Sequence, residues 1–387
     1  MPPFFVFIVH NYFMNDYSGH IAIIGAGISG LALGCTLKKA GISCIIFEKS
    51  SGVSEYGAGI SISLNGLKVL SYLDIDKQLR EESGKPSNAL LFSNGKKITS
   101  FPIDVVTTSR QKLNKILLEK YLSLDGEILF DHQLSDIDLD NLNICFSNKS
   151  SFKVLHIAAC DGIKSLCRKQ SLPSSGDVIY SGYAAWRGII EGKQENIETH
   201  LGPNFHIVTY PISENRTSFV AAIKTNKAHE ESWMVQGSYD DMVSDLPSQV
   251  KSIISPLRQN NNLFKWGVYT RPLPKYLYAN NITFLGDAAH PIVPFIGQGG
   301  CLALEDAYIF GMLASKFAYD FKQIQLAYQR LRYERINKII KMSNVQGQLN
   351  HISNPFIIFC RNILMKYTSI VSYRLSYIWN YDVTNKI

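Results

Sequence analysis

The sequence predicts an α/β fold: a Rossmann-type dinucleotide-binding domain, interrupted by a β-sheet domain and closed by C-terminal helices. Three observations carry this. Residues 20–50, HIAIIGAGISGLALGCTLKKAGISCIIFEKS, read as strand, glycine turn, helix and strand. Residues 178–224 hold several strand-like runs. A further buried strand, NITFLGD at 281–287, leads into a chain that is helical from Gly297 almost to its end. The order α/β, then β-rich, then strand and helices describes one nucleotide domain with a sheet inserted into it.

Taken in order, the apolar run Ile21–Ile24 has the length of a buried strand. Leu31, Leu33 and Leu37 then fall at helical spacing, and Gly41 ends that helix. Ile45–Phe47 is the second strand, with Glu48 at its tip. Amphipathic helices are expected around 64–83 and 110–122, and alternating strands over 127–158. VIYSGYAAWRGII and FHIVTYPISENRTSFVAAIK supply the strands of the inserted sheet.

A chain of 387 residues exceeds one small domain. Hydrophobic content of 46% against 18% charged supports a soluble enzyme with a full core. The net charge of +7 suits an acidic small molecule or an anionic surface. The cations form no stripe with interleaved aromatics, so nucleic acid is not an expected partner. Seven cysteines, an odd number with no Cys-x-x-Cys pair, fit buried thiols in a reducing, cytoplasmic compartment. No His, Cys and carboxylate cluster has metal-ligand spacing, and no metal is expected. The apolar run Phe4–Val9 is short and lacks both a basic n-region and a cleavage site. It makes neither a signal peptide nor a membrane span, and residues 1–13 are expected to be a dispensable extension.

Three motifs carry chemistry. In Gly25-x-Gly27-x-x-Gly30, the first glycine permits the tight turn, the second lets a pyrophosphate approach the backbone, and the third allows close helix–strand packing. The helix N-terminus supplies free N–H donors, and Glu48 can accept bonds from ribose hydroxyls. This motif alone does not choose between NAD and FAD. In ACDGIKSLCRK (159–169), Asp161-Gly162 with Ser165 and Arg168 reads as a strand end turning into a helix beside a ligand, though alone it is an ordinary turn. In GDAAHPIVPFIGQGGCLALEDA (286–307), Asp287 can bind sugar-alcohol hydroxyls, and Pro291 and Pro294 stiffen the loop. Gly297, Gly299 and Gly300 bring bare backbone against something flat, and a helix N-terminus points at an anionic group. His290 is read as a supporting loop contact rather than a catalyst.

Together and in this order, GAGISG, CDGIKSLCR and GDAAHP make the chain resemble the flavin-dependent aromatic hydroxylases. These are single-component FAD monooxygenases with the para-hydroxybenzoate hydroxylase fold. GAGISISLNGLKVL (57–70), SRQKLNKILL (109–118) and TRPLP (270–274) extend the resemblance from about residue 20 to about 383. The form GDAAHPxxPxxGQGGCxAxEDA is most similar to the branch with salicylate hydroxylase-like, hydroxynicotinate hydroxylase-like, urate hydroxylase-like and zeaxanthin epoxidase-like enzymes. The resemblance implies that Gly25, Gly27, Gly30 and Glu48 hold the ADP half of FAD, with Ser29 and Lys49 also among the cofactor-binding residues. It places Arg110 and Asp161 against FAD, Asp287 on the ribityl chain, and the Gly297–Gly300 backbone, with Gln298, against the flavin pyrimidine. The sequence departs from the family where Cys160 precedes Asp161, and where Leu64 replaces the proline usual before Asn65. Neither departure removes a polar group.

In these terms residues 19–75, 105–175 and 276–345 form the FAD-binding domain, and 76–104 and 176–275 the β-sheet substrate domain. Residues 346–387 form a C-terminal helical segment, and 1–18 an extension. The implied reaction takes hydride from NADH or NADPH, adds O2 to give a flavin C4a-hydroperoxide, and hydroxylates an electron-rich ring. NAD(P)H would dock transiently, because GAGISI (57–62) lacks the third glycine of a second dinucleotide motif. The inserted sheet offers Tyr183, Trp186, Arg187 and Tyr210 as substrate contacts, and strand alternation lets only one of Trp186 and Arg187 face the ligand. By resemblance Pro294 borders the reaction site; Pro294, Arg187 and Tyr210 are the catalytic candidates. Three functions compete: a soluble ring hydroxylase, a membrane-associated hydroxylase or epoxidase of a quinone precursor or isoprenoid, and a flavoprotein without oxygenase activity. In the tail, Phe356, Cys360, Ile363, Tyr367, Ile370 and Ile378 recur near helical spacing, with Arg361, Lys366 and Arg374 among them. Core packing is the favoured reading of that stripe, and peripheral membrane contact the alternative. A monomer or homodimer is expected, cytoplasmic or peripheral to the membrane.

Overall fold

The structure is a computed structural model that describes residues 16–52, 59–227, 236–258 and 262–387. Residues 1–13, expected to be dispensable, and Gly57-Ala58 of the GAGISI stretch lie outside the described residues.

Ile21–Ile24 forms the centre of a parallel sheet, fully embedded in apolar surroundings. Its neighbours are Cys44–Phe47 on one side and His156–Ala159 on the other, with Glu127–Leu129 and Ile282–Phe284 beyond them, all parallel. Tyr278–Ala279 adds an antiparallel edge. Ile21–Ile24, Cys44–Phe47 and Ile282–Phe284 are buried throughout, and strands covered on both faces read as continuous apolar runs. Helix Ile28–Lys39 returns from the first strand to the second, and helices Gly299–Lys316 and Arg110–Ser123 pack beside it. Their apolar residues make one large core, which Leu79 of helix Asp76–Glu81 also joins. That short helix therefore packs with the nucleotide domain, although residue 76 was the expected start of the sheet domain.

The inserted unit is a seven-stranded sheet. Ile179–Glu191 pairs with Phe264–Thr270 and with Arg216–Lys224. The order continues through Phe205–Ser213, Ile197–Gly202, Asn88–Ser93 and Lys96–Pro102. Its outer face buries Trp186, Phe205, Ile207, Phe219 and Ala221 under Met242, Leu246 and Ile254 of the following short helices. Its inner face carries Tyr183, Ala185, Trp266 and Val268, which meet Val293 and Phe295 of the 286–300 loop. The strand Gly59–Ser63 pairs with Val105–Ser109, and this ribbon links the two units. Thr107 Oγ1 donates to the Pro211 carbonyl oxygen at 2.5 Å.

Helix Phe321–Asn350 runs for 30 residues and crosses the expected boundary at 345/346 without a break. The chain instead reorganises at Asn354, whose side chain accepts from the backbone N–H groups of Phe356 and Ile357, with Pro355 in the first turn. The two tail helices, Pro355–Tyr367 and Ile370–Trp379, correct the favoured reading of their apolar stripe. Phe356, Cys360, Ile363, Tyr367 and Ile370 are exposed, and only Ile378 of that set is buried. The face turned inward is instead Ile358, Arg361 and Met365, with Arg361 donating to Leu349 O and Ser93 Oγ. All seven cysteines are free thiols, five of them buried.

Candidate active site

The glycine turn is built by close approach. Gly25 has φ +104°, and a Cβ there would stand 2.6 Å from the Cys160 carbonyl oxygen. A Cβ on Gly30 would stand 1.9 Å from Gly25 O, so the helix can sit on the turn only without one. Gly27 is different: nothing lies within 4 Å of its Cβ position, and it opens onto free space as the N-cap of helix Ile28–Lys39. No side chain caps that helix. The Glu48 carboxylate, at the end of the second strand, accepts from Ala26 N at 2.7 Å and from Ser50 N at 2.9 Å. It therefore fixes the turn as well as standing beside it. Lys49 is exposed next to it.

The 286–300 loop has the same construction. Gly286 lies against Ser29, whose Cβ and Oγ would be 3.0 Å from a Cβ on Gly286, so the first and third motifs touch. Gly297 is left-handed (φ +64°, ψ +30°) with nothing within 4 Å of its Cβ position, and Gly299 is open except for Ile292. The Gln298 side chain is pulled away from this surface: Nε2 donates to Ser63 Oγ and Oε1 accepts from Asn65 Nδ2, both at 2.9 Å. Its backbone is left facing the open side at the uncapped N-terminus of helix Gly299–Lys316. Asp287 is exposed at the end of its strand, and Pro294 is exposed at the start of a short 3-10 turn.

The second motif closes the site from below. Asp161 Oδ2 accepts from Cys167 N at 3.1 Å, while Oδ1 is buried without a partner. Burial raises the Asp161 carboxyl above its ordinary range, against the bonds from Ser165 and Cys167. Ser165 caps the short helix that follows. Arg168, which the sequence placed only behind the motif, is fully buried and holds the loops together. It donates to the carbonyls of Ala289 at 2.9 Å, Ser175 at 2.9 Å and Pro272 at 2.5 Å. Burial and the neighbouring Arg271 pull it down to about 9. Thr270 Oγ1 donates to Pro291 O at 3.1 Å, so the TRPLP stretch is clipped to the same loop.

Behind the loop lies a buried ionic network that the sequence did not reveal. Asp306 accepts from Gly286 N, His290 Nε2 and Arg332 Nε. Glu305 accepts from Arg332 Nη1 at 2.7 Å, Arg335 Nη2 at 3.1 Å and Asn65 Nδ2 at 2.7 Å. Glu305, Asp306 and Arg332 are wholly buried. Burial opposes ionisation of Asp306, but His290 and Arg332 outweigh it and hold the carboxyl at about 2. His290 thus supports the loop from behind.

The inner face of the seven-stranded sheet packs on Val293 and Phe295 of this loop. Arg187 is on this face; its guanidinium stacks over Trp266 at 4.2 Å. Burial lowers Arg187 to about 10, helped by Arg110 and opposed by Tyr210. Arg110, the first residue of helix Arg110–Ser123, and Tyr210 therefore sit close to Arg187. Trp186 points the other way. It is buried in the outer core and its Nε1 donates to Asp245 Oδ2 at 2.7 Å, so strand alternation removes it from the contacts expected for a substrate. Next to the 3-10 turn, Tyr183, Phe295, His206 and His351 form an aromatic group with centroids 4.7–5.4 Å apart. Neither histidine was singled out by sequence, and no spacing signal links residues 145 positions apart. His351 Nδ1 faces Gly347 O at 2.7 Å and so carries its hydrogen there. Its Nε2 lies 3.1 Å from His206 Nδ1 and 3.4 Å from the Ala222 carbonyl oxygen. Burial holds both rings below the ordinary histidine range, and His351 lowers His206 further.

This arrangement offers two strips of bare backbone, two uncapped helix N-termini and one buried carboxylate oxygen to a long anionic ligand. The sheet faces it with a cation, a phenol and an aromatic group. Comparison with known proteins gives the family and the fold. The model of the FAD binding domain family matches residues 19–341. Aurachin C monooxygenase/isomerase of Stigmatella aurantiaca is 26% identical over 371 residues, covering 90% of this chain and 94% of that protein. An FAD-dependent urate hydroxylase of Klebsiella pneumoniae is 25% identical over 350 residues, covering 85% and 90%. Among solved structures, Klebsiella pneumoniae HpxO complexed with FAD and uric acid superposes with a TM-score of 0.80 at 22% identity, over 94% of this chain and 97% of that one. A salicylate hydroxylase substrate complex superposes with a TM-score of 0.80 at 20% identity, over 95% and 97%.

Proposed function

The chain belongs to the FAD binding domain family, with FAD as its cofactor, and from that premise we propose that it is a monooxygenase using NADH or NADPH and O2 to hydroxylate an aromatic or related electron-rich small molecule. One observation carries this reading. The three motif loops touch one another, Gly25 against Cys160 and Gly286 against Ser29, and Val293 and Phe295 of the third loop pack on the sheet wall that carries Arg187. A dinucleotide carrier alone has no use for such a wall.

The residues present fit FAD. Side chains at Gly27 and Gly297 would fill the cradle, and the unpartnered Oδ1 of Asp161 suits a ligand hydroxyl or amide. Gly25, Gly27, Ser29 and Gly30 would hold the ADP half, with Glu48 keeping the turn in shape and Lys49 alongside. Arg110 and Asp161 would reach the middle of the cofactor, and Asp287 its sugar alcohol. The backbone of Gly297, Gln298, Gly299 and Gly300 would lie against the ring, where the helix dipole favours negative charge. When bound, FAD supplies hydride acceptance from NAD(P)H and the activation of O2.

The chain's own residues bind and orient the substrate. Arg187, desolvated and stacked on Trp266, would pair with a carboxylate or a polarised ring. Tyr210 sits near enough to lower the cost of keeping that charge buried. Tyr183 and Phe295 would supply ring contacts, with His206 packed against Phe295. Pro294 and its neighbours close the site and exclude water. The test is a screen of NADH and NADPH oxidation by the purified, FAD-loaded protein against aromatic acids, phenols, N-heterocycles and quinol precursors. A substrate should accelerate oxidation and yield a product heavier by one oxygen atom. If no compound in any class does both, the reading fails.

A further inference from the structure

The tail helices turn their apolar side to solvent. On Pro355–Tyr367 the residues Phe356, Phe359, Ile363 and Tyr367 recur at helical spacing on the side opposite buried Ile358, Arg361 and Met365. Phe356 is 73% exposed and Tyr367 72%. The next helix, Ile370–Trp379, also exposes aromatics, Tyr373 at 73% and Tyr377. An apolar patch of this extent marks a contact surface.

Charge identifies the partner. Between Glu334 and Asp382 the sequence contains no Asp or Glu, while Lys338, Lys366 and Arg374 stand on or beside the patch. Lys338 Nζ lies 3.8 Å over the Tyr377 ring, and Lys366 Nζ 5.2 Å over the Tyr367 ring. A second copy docking through the same patch would bring the same cations and no acid to pair with them. Among the described residues no helix is long and apolar enough to cross a membrane. Helices of 13 and 10 residues with aromatic side chains on one face and cations beside them suit the plane of an interface.

We propose that this face seats the protein on an anionic lipid surface, with Phe356, Phe359, Ile363 and Tyr367 entering the headgroup boundary and Lys338, Lys366 and Arg374 meeting lipid phosphates. The proposal stands apart from the oxygenase reading, because none of these residues belongs to the cofactor or substrate surfaces.

The experiment is cosedimentation of the full chain with phosphatidylcholine vesicles, with and without phosphatidylglycerol. The wild type should pellet with the anionic vesicles and be released by salt. The triple variant Phe356→Ser, Phe359→Ser, Tyr367→Ser should lose at least about tenfold in partitioning, with FAD binding unchanged. Because that variant alters three apolar residues, Lys366→Glu with Arg374→Glu provides an independent arm, and it should weaken binding to anionic vesicles only. A wild type that stays in the supernatant with anionic vesicles overturns the proposal. So do variants that pellet as the wild type does, or a dimer by light scattering that the triple variant dissociates while no lipid is bound.

Discussion

Arg187 and Trp186 are neighbours in sequence and belong to different parts of the molecule. Arg187 is on the inner face over Trp266, and Trp186 is sealed in the outer core with its indole N–H on Asp245. Their substitutions should therefore separate two kinds of loss. Arg187→Met should raise KM for an acidic substrate strongly and leave FAD content intact. Trp186→Ala should leave KM alone and cost about 3–5 kcal/mol in a denaturant melt. Exchange of these two outcomes would put Trp186 at the substrate. Sequence could state the alternation but not its sign, because which face turns inward depends on where the 286–300 loop packs. Glu48 makes a second residue-scale case. It holds Ala26 N–H and Ser50 N–H, so Glu48→Ala both removes the proposed ribose acceptor and loosens the turn. FAD affinity by fluorescence titration should fall by about 1.5–3 kcal/mol, as expected for a charge-assisted bond; an affinity within about twofold of wild type would refute the role.

At the scale of elements, helices Gly299–Lys316 and Phe321–Asn350 are joined by the ionic network that supports the loop. Removing one partner from a buried ionic group strands the others, so Arg332→Met should cost about 3–5 kcal/mol. A cost below about 1 kcal/mol, the range of exposed pairs, would contradict it. The pH dependence follows from Asp306. Its folded-state carboxyl is held at about 2, below the ordinary 3.8. The unfolded chain thus binds the proton first as pH falls, and the stability this gives is present above the ordinary value and lost as pH drops towards 2. Asp306→Asn should flatten stability against pH across that window, and an unchanged slope would deny Asp306 the role. The glycine turns were legible because their requirement is local: a positive φ or a close approach admits one residue type. The network was not, since Glu305 and Asp306 looked like ordinary acids early in a helix and their cations lie on the next helix. The tail stripe was misjudged for a related reason. Periodicity shows that Pro355–Tyr367 has an apolar side, but only the position of the strand end at Ser93 decides that Arg361 turns inward and Phe356 outward.

For the whole molecule, the interruption of one domain by another was readable from element order, since the strands at Ile21, His156 and Ile282 share one parallel sheet although they come from distant parts of the chain. How the inserted sheet leans on that domain was not readable: it rests on contacts such as Thr107 with Pro211 and Gly59 against Tyr210 and Ser218. These contacts leave an open surface where the three motifs meet, and that this surface is the FAD cradle is the claim on which all the roles depend. Gly27 tests it most directly, because the protein itself has no need of a glycine there. Its φ is −74°, and nothing lies within 4 Å of its Cβ position. The decisive measurement is FAD affinity together with melting temperature for Gly27→Ala. The expected result is an unfolding transition of the flavin-free protein as stable as wild type, with FAD binding weakened by at least about tenfold, or about 1.4 kcal/mol. Wild-type FAD affinity in Gly27→Ala would contradict the cradle.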